Sequence, residues 1–232
     1  MTQQTLLTPR RPPTREGIDL RLSSCLDVLT AMEERAHLVF ADPPWTYGTP
    51  SHIHPTEHYG CLQTREIADH LDAAYGHVHP GARLVLWTTS PLLNETMQAM
   101  RSTPWRYVTA GAWAKNDGEL STHHGPGWHW AGCAEYVLIY QRAGTPHRDL
   151  SIPLRNAHVS TPTQHSAKPV DWQAEMIRRW VPRGGLVLDL YAGLGTVARA
   201  TIQAGHRRYL GAEIDPERHA AASALIAQEP SL

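Results

Sequence analysis

Asp42-Pro43-Pro44-Trp45 closes a short apolar run, His37-Leu38-Val39-Phe40-Ala41, and brings together the groups that chemistry on an aromatic amine requires. The lone pair of such an amine, N6 of adenine for example, is delocalised into its ring. The nitrogen therefore attacks an electrophile only when its hydrogens are held and its developing charge is stabilised. A carboxylate at Asp42 can accept one N–H, and a carbonyl held rigid by the Pro43-Pro44 pair can accept the other. Trp45 offers a face on which an extruded base can stack, and Tyr47 is a further candidate for contact with the substrate. A strand ending in a Pro-rich turn with an incidental Trp would carry the same residues. The four-residue match, however, arises by chance in on the order of one chain of this length in several thousand.

A second constellation lies near the other end of the chain. Leu186-Val187-Leu188-Asp189-Leu190-Tyr191-Ala192-Gly193-Leu194-Gly195-Thr196 reads as a strand, a glycine turn and a helix start. Gly193 and Gly195 let the backbone approach a ligand closely, and Glu213, twenty residues after Gly193, is placed to grip ribose hydroxyls. Gly193-Leu194-Gly195-Thr196-Val197-Ala198 also satisfies the G-x-G-x-x-A dinucleotide pattern. A dehydrogenase needs several more strands after the ribose acid, yet fewer than twenty residues follow Glu213. The rest of the sheet must come from earlier in the chain, which implies a permuted domain.

The elements that must position these motifs alternate between short apolar runs and helix-period segments, the pattern of an α/β fold with a buried, mostly parallel sheet. Seven strands are expected: 18–22, 37–40, 82–87, 107–113, 135–141, 186–190 and 209–213. Runs such as Leu84-Val85-Leu86-Trp87 are continuously apolar, as strands covered on both faces should be. Helices are expected from a Thr64 cap through Ile67, Leu71 and Tyr75, from Ser90-Pro91, and over 170–180, 196–204 and 216–227. The stretches 46–62, 116–132 and 142–167 carry no periodicity, and long loops flanking a site are read as functional.

Composition bounds the rest. The chain has 232 residues and a net charge of −1, so nucleic-acid binding would rest on a local basic patch. No apolar run reaches the length of a membrane span, and residues 1–16 read as a flexible, polar tail without a secretory h-region, pointing to a cytoplasmic protein. Three scattered cysteines form neither a disulfide framework nor a metal motif. The histidines of the loops, His52, His54, His58, His123, His124 and His129, lack regular ligand spacing, and no metal is expected. Trp128 and Trp130 are candidates for base stacking, and Arg142, with Arg148 and Arg155, for phosphate contact. The only lysines, Lys115 and Lys168, both fall beside candidate functional segments.

Taken together, the sequence resembles the permuted, β-class amino-methyltransferases, in which D-P-P-[YW] comes first and the glycine cofactor turn last. The D-P-P-W form, with His58-Tyr59, Leu86-Trp87-Thr88-Thr89, Trp113-Ala114-Lys115, Glu135 and His165-Ser166-Ala167-Lys168-Pro169 at similar spacing, is similar to the superfamily that includes messenger-RNA N6-adenine methyltransferases and their bacterial and phage relatives. The resemblance runs from about Ile18 to Asp215. It implies a single Rossmann-like class I methyltransferase domain over 17–228, with target recognition at about 116–165, S-adenosylmethionine as cofactor and DNA as substrate, RNA being the alternative. It further implies Asp42, Pro43, Pro44 and Trp45 as the catalytic motif and Asp189, Tyr191, Gly193, Gly195 and Glu213 as the cofactor site. Lys168 matches a lysine that approaches the methionine carboxylate of the cofactor. Tyr191 stands where Phe is commoner, and Ser23-Ser24 where many relatives carry Gly-Asp. Cytosine-N4 enzymes usually begin the catalytic motif with Ser, so Asp42 favours adenine. A non-catalytic partner subunit and an oxidoreductase are the competing classes, and a monomer or homodimer is expected.

Overall fold

The computed structural model describes residues 15–46, 60–115, 133–162 and 167–230. Tyr47, Trp128, Trp130, the His58-Tyr59 and His165-Ser166 pairs and the six loop histidines lie outside the described residues.

Eight strands form one sheet: β1 (Ile18–Leu22), β2 (Ala36–Ala41), β3 (Val78–Thr89), β4 (Arg106–Lys115), β5 (Ala134–Gln141), β6 (Ala157–Ser160), β7 (Leu186–Asp189) and β8 (Arg208–Glu213). Their order is β1-β8-β7-β2-β3-β5-β4-β6, and only β5 runs against its neighbours. The expected seven strands are present. The eighth, β6, lies in the polar stretch 142–167 that carries no periodicity. It is a four-residue edge strand of alternating exposure, too short to register as a pattern.

The helices are α1 (Cys25–Thr30), α2 (Thr64–Tyr75), α3 (Leu93–Ala99), α4 (Val170–Trp180), α5 (Thr196–Ala204) and α6 (Pro216–Gln228). Gln63, not Thr64, caps α2, because its backbone amide donates to the Glu66 carboxylate in a reciprocal capping box. The short helix α1 was not expected. Its signal is Ser24, whose hydroxyl accepts from the Asp27 amide.

Strand periodicity divides the core into two layers. Val39, Leu84, Leu86 and Leu188 face one way and pack with Val28 of α1 and Ile67 and Leu71 of α2. Leu38, Phe40, Val85, Trp87 and Val187 face the other and pack with Met176 and Ile177 of α4 and Val197 and Ala200 of α5. Each fully buried side chain of this size contributes roughly 1.5–3 kcal/mol.

One consequence of the strand order positions the site. From β2 the chain crosses through α2 to β3 on one side, whereas from β7 it crosses through α5 to β8 on the other. β2 and β7 are adjacent and parallel, with Phe40 opposite Asp189. A crevice opens at their carboxyl ends because the following segments diverge.

Candidate active site

Two residues beyond the Phe40–Asp189 register, the chain reaches Asp42 on one strand and Tyr191 on the other, so the two motifs meet at the switch point. A small cleft open to solvent lies between them, lined by Asp42, Trp87, Lys168, Tyr191, Gly193 and Thr196.

Asp42 is bound by a lysine from far along the chain. The Lys168 ammonium donates to Asp42 Oδ2 at 2.6 Å and lies 3.0 Å from Glu135 Oε2. Glu135 also pairs with Lys115, so both lysines of the chain sit in one network of two cations and two carboxylates. Topology explains the meeting. Because β5 is antiparallel, it begins at the carboxyl end of its neighbours and places Glu135 opposite Thr89 and Trp113. Lys168 precedes Pro169, which holds it extended at the entrance to α4. Beneath the network lie aromatic rings: Lys168 Nζ is 5.4 Å from the Trp87 ring and Lys115 Nζ 5.2 Å from that of Trp113.

Charge in this network is unevenly held. Burial raises the Asp42 carboxyl, and Lys168 offsets this only in part because Glu135 shares the same ammonium. Glu135, between two ammonium groups, is held below the usual carboxylate range in spite of its burial. Burial disfavours a charged Lys168, but the two carboxylates outweigh it and keep the side chain protonated. Lys168, the lysine matched to one that approaches the cofactor carboxylate, thus stands at the cleft with its ammonium on Asp42 and Glu135.

The prolines divide their work. The Leu62 amide donates to the Pro44 carbonyl at 2.8 Å, and the Thr46 amide to the Leu62 carbonyl. This pairing stitches the motif to the start of α2 and leaves the Pro43 carbonyl without a donor among the described residues. It also draws Trp45 inward. Trp45 is 9% exposed and packs into the core with Leu62 alongside, so little of it faces the cleft side open to solvent.

Across the cleft, Gly193 and Gly195 both take positive φ, +54° and +73°. A methyl at Gly195 would strike Ala222 and Ile226 of α6, whereas one at Gly193 would meet only Arg218 Nη1, at 4.0 Å. Gly195 is thus a packing glycine, and Gly193 leaves open space for a ligand at the amino end of α5. Glu213 braces the turn: its carboxylate accepts from the Gly193 amide at 2.7 Å and the Asp215 amide at 2.8 Å. Asp189 is buried and accepts from the Tyr209 hydroxyl at 3.1 Å; burial, the largest cause, pushes its carboxyl up to about 7. The Tyr191 hydroxyl lies 2.8 Å from His70 Nδ1, tying the turn to α2.

Arg142 is not part of this assembly. It follows Gln141 at the opposite end of the sheet, donates to the carbonyls of Tyr75 and Val78 and stacks on the Tyr75 ring at 4.8 Å. Its guanidinium closes the α2–β3 turn, so the structure does not bring this candidate substrate contact together with Asp42. Glu135 and Lys115 join the site although their sequence motifs gave them no role in it. Their signal was the scarcity of lysine combined with the antiparallel strand that brings Glu135 to the cleft.

No curated protein matches the chain in sequence. Among solved structures, M1.HpyAVI in complex with S-adenosylmethionine superposes with a TM-score of 0.68 at 14% identity, covering 90% of this chain and 99% of that one. A putative DNA modification methylase from Thermus thermophilus, complexed with S-adenosyl-L-methionine, gives 0.67 at 23% identity over 91% and 93% of the two chains. The cytosine-N4-specific PvuII DNA methyltransferase gives 0.69 at 17% identity over 94% and 89%. All three share the fold. A family of N6/N4 methyltransferases described as DNA methylase matches residues 86–224, a span that includes Glu135, Lys168 and the glycine turn and begins after Asp42-Pro43-Pro44-Trp45. That match extends over more than half of the chain, which therefore belongs to the N6/N4 DNA methylase family.

Proposed function

We propose that this protein methylates the exocyclic N6 amine of adenine in DNA, with S-adenosylmethionine as methyl donor. The observation that carries the reading is the pair of acceptors at the switch point. Lys168 occupies Asp42 Oδ2, leaving Oδ1, and the Pro43 carbonyl has no donor among the described residues. Two fixed acceptors suit an amine with two hydrogens. When bound, the cofactor supplies an electrophilic methyl on a sulfonium. The open space at Gly193, the Glu213 brace and the amino end of α5 are the features that would hold it, with Asp189 and Tyr191 on the same turn.

In this scheme Asp42 and the Pro43 carbonyl orient the amine by accepting its hydrogens, and the low polarity around Trp87 strengthens both contacts. Lys168 keeps the Asp42 carboxylate in place and, held protonated by two acids, cannot act as a base. The surplus proton leaves to Asp42 or to water. Among the described residues no cluster of His, Cys, Asp or Glu is arranged to hold a metal, and methyl transfer from a sulfonium requires none.

Cytosine N4 is the second reading, because the PvuII enzyme, cytosine-N4-specific, shares the fold. One experiment separates them. The protein is incubated with labelled cofactor and either DNA or RNA, and the product is digested to nucleosides. N6-methyladenine from DNA is the expected product. N4-methylcytosine alone, or modification of RNA alone, would overturn the proposal.

A further inference from the structure

Positive charge gathers at the amino end of the sheet, opposite the cleft. β2, β3, β7 and β8 begin there, β5 ends there, and α4 finishes there. Arg83, Arg148, Arg178, Arg179, Arg183 and Arg207 flank these ends. They are close enough to disfavour one another's charge. Burial, then the nearby Arg148 and Arg179, bring Arg83 down to about 10, and burial, Arg183 and Arg178 lower Arg207.

The hydrogen bonds of the group fix position without cancelling charge. Arg83 donates to the His147 carbonyl, Arg178 to that of Gln203, Arg179 to that of Asp149, and Arg207 to those of Val181 and Gly205. Every acceptor is a neutral main-chain oxygen. Among the described residues none of the six forms an ion pair; Glu34 is committed to Arg208, while the Asp149 carboxylate, held by Ser151, lies close enough to Arg179 and Arg207 to offset part of their charge. The negative end of α4 accounts for Arg178 and Arg179 in its last turn, with about half a charge. Arg83 is buried over the Trp180 ring, 5.0 Å from its centroid, and Arg148 and Arg183 are exposed with no ion pair among the described residues.

Beside the arginines lies a groove of roughly 600 Å³ lined by His37, His79, His147, Thr145 and Trp180. These histidines are not placed as metal ligands. Six guanidinium groups gathered at one face without an ion pair among the described residues, in a chain of net charge −1, match a polyanion, and the substrate of the family is one. A straight duplex lying in the catalytic cleft is separated from this face by the length of β2, about 20 Å at 3.3 Å per residue.

We propose that the amino-end face of the sheet binds a second stretch of duplex DNA through its phosphates, without reading sequence, while the cleft at Asp42 acts on the first. The inference holds whichever base is methylated. Arg148 and Arg183 are exposed and make no hydrogen bond among the described residues, so Arg148→Ala/Arg183→Ala leaves the fold and the cleft intact. The probe is a random-sequence 60-bp duplex, followed by fluorescence anisotropy across a salt series. Each lost phosphate contact lowers the slope of log affinity against log salt by about 0.9, so the double variant should lose about 2 from the slope and bind at least about tenfold more weakly at 50 mM salt. With a 12-bp duplex, wild type should bind two molecules per protein and the double variant one. An unchanged salt slope, or a stoichiometry of one for wild type, would overturn the proposal. The nucleoside assay for the methylated base is independent of either result.

Discussion

Lys168 and Asp42, 126 residues apart in sequence, meet at 2.6 Å across the crevice between β2 and α4. This single ammonium also serves Glu135, so replacing it leaves two neighbouring carboxylates with Lys115, paired to Glu135, as the remaining cation of the network.

Lys168→Met should therefore abolish methyl transfer and destabilise the fold by about 2–4 kcal/mol at neutral pH, since removing one partner from a buried pair leaves an uncompensated charge. The deficit should shrink on acidification. Without the ammonium, the folded-state value of Asp42 rises further above its unfolded value and Glu135 loses one of the two ammonium groups that hold it low, so the folded protein takes up protons more readily as pH falls and regains stability. Melting temperatures of variant and wild type at pH 5 and pH 8 check this. A deficit of equal size at both would mean that the carboxylates stay ionised without their partner.

Much of this site was legible in the sequence because it rests on backbone patterning. The apolar runs ending at Asp42 and Asp189 and the glycines after them fix where two strands end and a helix begins, and the order of the two motifs along the chain carries the likeness to permuted methyltransferases. What long-range packing decides was not legible. Trp45 is amphipathic enough for a stacking face or for the core, and the Leu62 bridge settles it inward. Arg142 could serve a phosphate or a turn, and only the proximity of the Tyr75 and Val78 carbonyls chooses the turn. The Lys168 contact depends on the register of strands far apart in the chain.

Asp189 offers a second pH test. Its carboxyl stands at about 7 in the fold against 3.8 ordinarily, so between roughly pH 4 and pH 7 the folded protein holds a proton that the unfolded chain has released. Stability contributed by this group falls as pH rises through that window and is level above it, a loss of at most about 4 kcal/mol. Asp189→Asn keeps an acceptor for the Tyr209 hydroxyl and removes the titration. Relative to wild type, the variant should gain melting temperature from pH 4.5 to about pH 7 and hold that gain to pH 8. A constant difference across that range would place the Asp189 titration outside it.

Arg142→Ala tests the division between the two ends of the sheet. The variant loses two hydrogen bonds to main-chain carbonyls and the stack on Tyr75, which should cost about 1–2 kcal/mol of stability. Because Arg142 lies at the end opposite Asp42, methylation per folded molecule should match wild type. A rise in KM for DNA with unchanged stability would return Arg142 to the substrate.

The two glycines of the turn should fail differently. Gly195→Ala places a non-glycine residue at φ +73° and drives its methyl to 3.2 Å from Ala222 Cβ and 3.3 Å from Ile226 Cδ1, so α6 must move. A stability loss of about 1–3 kcal/mol should follow, from backbone strain and crowding together. At Gly193 the methyl meets no protein atom closer than 4.0 Å, so Gly193→Ala bears the strain of φ +54° alone, about 1–2 kcal/mol. What that methyl does occupy is the cleft. The rise in melting temperature on adding S-adenosylmethionine, which reports the affinity of the folded state for the ligand, should therefore be lost more completely in Gly193→Ala than in Gly195→Ala, although Gly195→Ala is the less stable protein. Equal loss of the thermal shift in both would mean that the whole turn, not the space beside Gly193, governs cofactor binding.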